Sequence, residues 1–68
     1  MMQTIRFTSL HGTELYGKVG AQTKIRRSVI LFVYKLGRIY AVLDGQSVDE
    51  TTETDDFGAF VERVGAAI

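Results

Sequence analysis

The stretch SVILFVYKLGRIYAVLDG, residues 28–45, decides the fold. Six consecutive apolar or aromatic residues, Val29 to Tyr34, come before a Gly-containing turn, and five more, Ile39 to Leu43, come after it. Both runs are rich in β-branched and aromatic side chains, which suit a pleated surface, and neither leaves a polar face for water. They read as a central hairpin covered on both sides. Lys35-Leu36 is expected to form a type I-like turn, with Gly37 in the left-handed position of a bulge. The aromatic stripe Ile30, Phe32, Tyr34, Tyr40 and Val42 is expected to line the inside of a small barrel or to meet another subunit. The opposite face is then left for a helix.

Working outward, Thr4-Ile5-Arg6-Phe7-Thr8 alternates as a half-buried strand, with Ile5 and Phe7 inward. A turn near His11-Gly12 leads to a second strand, in which Leu15 and Val19 point inward and Gly20 ends the pairing. GAQTKIRRS, residues 20–28, breaks the alternation and reads as an exposed loop or distorted edge. Asp44-Gly45 is a strong turn signal that leads Gln46-Ser47-Val48 back as a short fifth strand. DETTETDD, residues 49–56, has five acids and no apolar residue and reads as a solvated connection. Thr54 or Asp55 is placed to cap a helix there, and the acids suit its positive dipole end.

Beyond it, Phe57, Phe60, Val61, Val64 and Ile68 recur at helical spacing, with Glu62 and Arg63 facing out. A helix of this length is marginal alone and needs a sheet beneath it. The pattern predicts an α+β fold: a small antiparallel β sheet or partly open barrel of four to five strands with one C-terminal helix at about residues 55–67. One domain over 1–68 is expected, because a chain this short cannot supply two cores.

The chain has no cysteine, so disulfide, thiolate and cysteine-ligated metal chemistry are excluded. His11, the one histidine, lies in a turn without the nucleophile and orienting partner that general-base catalysis needs. The acidic run lacks the ligand spacing of a calcium loop, and no Gly-rich strand-to-helix turn is present to cradle phosphates. No catalytic residue, cofactor or metal is expected. MMQTIRFTS lacks the apolar core of an export signal, and no apolar run is long enough to span a membrane. A soluble cytoplasmic protein without membrane contact is the expectation.

The informative feature is charge. Eight bases balance eight acids, yet residues 1–43 hold seven bases and one acid, and residues 44–68 hold one base and seven acids. The basic candidates for binding are Arg6, Lys18, Lys24, Arg26, Arg27, Lys35 and Arg38. The acidic candidates are Asp49, Glu50, Glu53, Asp55 and Asp56. Such separation predicts a noncatalytic protein-interaction or regulatory module, capable of self-association, that meets a charged protein partner. The alternative is nucleic-acid binding, in which the basic set contacts phosphates while Tyr16 or Tyr40 stacks on a base.

Overall fold

The central hairpin forms as β3, Ser28–Lys35, paired antiparallel with β4, Arg38–Leu43. The computed structural model describes residues 3–68, in which β1 is Thr4–Thr8, β2 is Glu14–Ile25, β5 is Gln46–Thr52 and α1 is Phe57–Ala67. Each strand pairs antiparallel with the next in chain order. The curled sheet meets itself at one parallel contact, Thr8 beside Gln46, where the Thr8 amide donates to the Gly45 carbonyl at 2.9 Å. It is a five-strand antiparallel sheet joined at that point, with the helix outside.

Two apolar clusters follow from the alternation. Phe7, Val33, Tyr40 and Val42 are buried in the curl, with Ile5, Leu15, Val19 and Leu31 around them. Phe7 and Tyr40 lie on strands that are not neighbours, yet their ring centroids are 5.1 Å apart, so they meet across the interior. The second cluster, Ile30, Phe32, Ile39 and Ala41, lies on the outer surface beneath Phe60 and Val64 of α1. Phe32 sits edge-on to both Phe57 and Phe60, at 5.0 and 6.0 Å.

This register divides the expected stripe. Residues directly opposite in an antiparallel pair share a face, and Phe32 faces Ala41 while Val33 faces Tyr40. Ile30, Phe32 and Tyr34 therefore belong with the helix, whereas Tyr40 and Val42 belong to the interior. The turn also differs from expectation. Lys35 pairs directly with Arg38, and Leu36 and Gly37 both have positive φ, 47° and 79°, as a two-residue type I′ turn requires.

β2 does not end at Gly20. The register passes from Val19 opposite Val33 to Ala21 opposite Phe32, leaving Gly20 as a bulge, and pairing continues to Ile25 opposite Ser28. The Tyr34 ring lies over the bulge so closely that a Cβ on Gly20 would come within 2.5 Å of it. β5 is also longer than expected and includes Asp49 and Glu50 within the strand. Asp56 caps α1, its carboxylate accepting from the Ala59 amide at 3.2 Å.

Candidate functional site

The seven basic candidates fall into three groups. Arg6 and Lys18 lie on the outer surface of β1 and β2, which the helix leaves uncovered. Arg6 is opposite Tyr16, whose side chain is 53% exposed. Lys24, Arg26 and Arg27 form the tip of the β2–β3 hairpin, with Lys24 opposite Val29, itself 49% exposed. Lys35 and Arg38 flank the Leu36-Gly37 turn at the other end of β3, about 23 Å away at strand rise. The set is not one patch.

The hairpin tip is fixed to the end of the helix. Ile25 packs against Gly65, and the Arg26 guanidinium donates to the Ile68 carbonyl. Arg26 takes φ 56° to do so, a left-handed conformation that costs an ordinary side chain energy. In return the guanidinium satisfies a carbonyl at the helix end, where a cation also suits the dipole.

The acidic candidates divide differently. Asp49 forms a fork with Arg63, Nε to Oδ2 at 2.7 Å and Nη2 to Oδ1 at 3.2 Å, and its Oδ1 also accepts from the Glu50 amide at 2.8 Å. Glu50 pairs with Arg38 at 3.3 Å, and its carbonyl accepts from Arg63 at 3.2 Å. Asp55 accepts from the Thr51 hydroxyl at 2.7 Å and the Thr52 amide at 3.5 Å. Asp49 and Glu50 thus serve the strand and the helix, and the solvated connection expected over residues 49–56 begins only after Thr52. Glu53, Asp55 and Asp56 remain exposed between β5 and the helix. Sequence reasoning assigned Arg63 only to the outer side of the helix, because its Asp49 partner is 14 residues away.

Arg6–Glu14, Arg38–Glu50 and Arg63–Asp49 are the ion pairs among the described residues. Setting those three aside leaves five bases, Lys18, Lys24, Arg26, Arg27 and Lys35, and five acids, Asp44, Glu53, Asp55, Asp56 and Glu62. The hairpin tip stands at the C-terminal end of α1, while Glu53, Asp55 and Asp56 stand at its start. Eleven helical residues, about 16 Å, separate these basic and acidic ends. Four charges fall outside these ends: Lys35, beside Gly37 whose carbonyl accepts from the Glu53 amide at 2.9 Å, Lys18 on β2, Asp44 in the β4–β5 turn and Glu62 within the helix.

The Arg63 hydrogen bond is the main reason the Asp49 carboxyl titrates below 3.8, with partial burial opposing it. The Thr51 and Thr52 hydrogen bonds lower Asp55 in the same direction. A carboxylate whose pKa is depressed by folding stabilises the native state fully above its unfolded value, and loses that contribution as pH falls through the folded value. Stability is therefore expected to decline through and below pH 3.8. Denaturant titrations at successive acid pH values should show a shallower decline for Asp49→Asn than for the parent. Parallel curves would contradict the role given to Arg63.

His11 and Asp44 both lie in exposed turns. Among the described residues no cluster of three or more His, Asp or Glu side chains could hold a metal, and no helix is long and apolar enough to cross a membrane. Comparison of the chain with protein-family models, with curated proteins and with solved structures finds no match in any of the three.

Proposed function

We propose that the protein is a noncatalytic recognition module that binds a charged protein partner through its two poles. The observation that carries this reading is the placement of Lys24, Arg26 and Arg27 at one end of the helix and Glu53, Asp55 and Asp56 at the other. Opposite poles speed encounter and fix orientation more than they add affinity, since exposed pairs contribute little. Val29, exposed beside Lys24, supplies apolar area to the basic pole.

A second reading rests on Arg6 opposite the exposed Tyr16, with Lys18 two residues along the same face. Cations beside an exposed ring can hold phosphates while a base stacks.

One titration separates the two. Labelled poly-glutamate and labelled single- and double-stranded DNA are each added across a salt series, with the parent chain, Lys24→Glu/Arg27→Glu and Tyr16→Ala. Arg26 is left in place because it holds the helix end. Protein recognition predicts poly-glutamate binding that weakens with salt and falls about tenfold or more in the double variant. DNA binding that exceeds it, with a steep salt dependence and loss on Tyr16→Ala, would replace that reading with phosphate recognition. Binding of neither polyanion at low salt would remove both.

A further inference from the structure

The positive and the negative excess stand at the two ends of one helix, and α1 keeps them about 16 Å apart, so they cannot meet within one molecule. Neither is cancelled locally. Lys24 and Arg27 make no ion pair among the described residues, and neither do Glu53, Asp55 and Asp56. Asp55 accepts from the Thr51 hydroxyl, Asp56 from the Ala59 amide, and Arg26 donates to a carbonyl; these partners are neutral, so the charges stay. Arg38, opposite Thr52, and Arg63, midway along the helix, are each matched by a carboxylate, Glu50 and Asp49. Lys35 is then one cation against three carboxylates, and Asp44 is one carboxylate against Lys24, Arg26 and Arg27, so each end keeps its sign.

We infer that the charged partner is a second copy of this chain, set antiparallel to the first so that each basic end lies against the other's acidic end. The inference rests on the protein-recognition reading above and names its partner. Charge complementarity selects this occupant. A two-fold axis across the middle of α1 turns one end onto the place of the other, so the spacing of the ends matches without adjustment and both contacts close in one dimer.

The exposed face of the helix between the ends carries Gly58, Ala59, Glu62 and Ala66. Only Glu62 is large enough to hold two copies apart, and its place midway along α1 brings it to its own equivalent at the axis. Glu62 is therefore the like-charge contact of the arrangement, and removing it tightens the dimer. Exposed pairs contribute little each, so the dimer is weak, with a dissociation constant of about 0.1 mM or above.

Sedimentation equilibrium of the parent tests this, from about 10 μM to about 1 mM at low and at high salt, beside poly-glutamate binding in the same buffers. Three variants accompany it. Lys24→Glu/Arg27→Glu makes both ends acidic, Glu53→Lys/Thr54→Lys, together with Lys35, turns the acidic end basic, and Glu62→Ala clears the axis. Asp55 and Asp56 are left in place because they hold Thr51 and the helix start. The parent is expected to form a dimer whose dissociation constant rises about tenfold or more from low to high salt. Each charge variant alone should be monomeric, an equal mixture of the two should restore a dimer with one copy of each, and Glu62→Ala should bind itself about threefold more tightly or better. A parent that stays monomeric yet binds poly-glutamate overturns the second copy and leaves the recognition reading standing. A monomer that binds no poly-glutamate removes both. A dimer indifferent to salt and to the charge variants overturns the arrangement, as do species that grow beyond the dimer with concentration. Thermal melts identify any variant that does not fold, in which case the salt series and Glu62→Ala decide.

Discussion

Phe32→Ala is expected to remove about half or more of the chain's stability. Phe32 is 1% exposed and sits at the centre of the outer cluster, between the sheet and both phenylalanines of the helix. Removing a buried phenyl ring costs about 3–5 kcal/mol, the transfer free energy plus the cavity left behind. A chain of this length has about 3–10 kcal/mol of stability in all. The loss falls on the contact that makes an otherwise marginal helix fold, so helix and sheet should be lost together. Far-ultraviolet circular dichroism and a urea titration would test this. A variant that keeps a cooperative transition within about 1 kcal/mol of the parent would refute the central place given to Phe32.

Gly17→Ala is the second large effect, and it arises from crowding. A methyl group at Gly17 would lie 2.5 Å from Val33 Cγ1 and 3.0 Å from the Tyr34 carbonyl oxygen. Val33 is fully buried, and its branched side chain has little rotamer freedom, so the strands must move apart. Overpacking of this kind costs about 1–3 kcal/mol. Val33→Ala alone opens a cavity at the same place. The double variant should therefore be less destabilised than the sum of the single ones, by more than about 0.5 kcal/mol, because the new methyl fills part of the space the valine vacates. Simple additivity in denaturant titrations would show that the clash is relieved elsewhere.

Neither crowding nor register is visible along the chain, which explains what could and could not be read from it. The strands β1, β3 and β4, the Asp44-Gly45 turn and the helical stripe were all legible, because each is set by local alternation or turn chemistry. β2 was cut short at Gly20 because the covered residues beyond it, Ala21, Thr23 and Ile25, are mostly small or polar and stand among Gln22, Lys24, Arg26 and Arg27. They keep the alternation of Leu15, Gly17 and Val19, and the bulge turns them from the interior to the helix side. The extent of β5 was hidden for another reason. Asp49 and Glu50 look like solvated loop residues until Arg63 and Arg38 arrive from elsewhere in the fold.

The candidate residues themselves were legible as charges, but their grouping was not. Lys35 and Arg38 are near the hairpin tip in sequence and a strand length away in space, whereas Arg26 reaches Ile68 across 42 positions.

The side chains around β5 have one more effect. Beyond Gln46 this strand has a neighbour on one side only. There the Glu50 amide and carbonyl and the Thr52 amide are taken by Asp49, Arg63 and Asp55. Main-chain groups already occupied cannot template a strand from another molecule, so the sheet is prevented from growing into fibrils along this border. The protection is borrowed from the helix and from two carboxylates. Acid that neutralises Asp49 and Asp55, or a substitution that removes Arg63, is expected to free these main-chain groups for pairing with another strand.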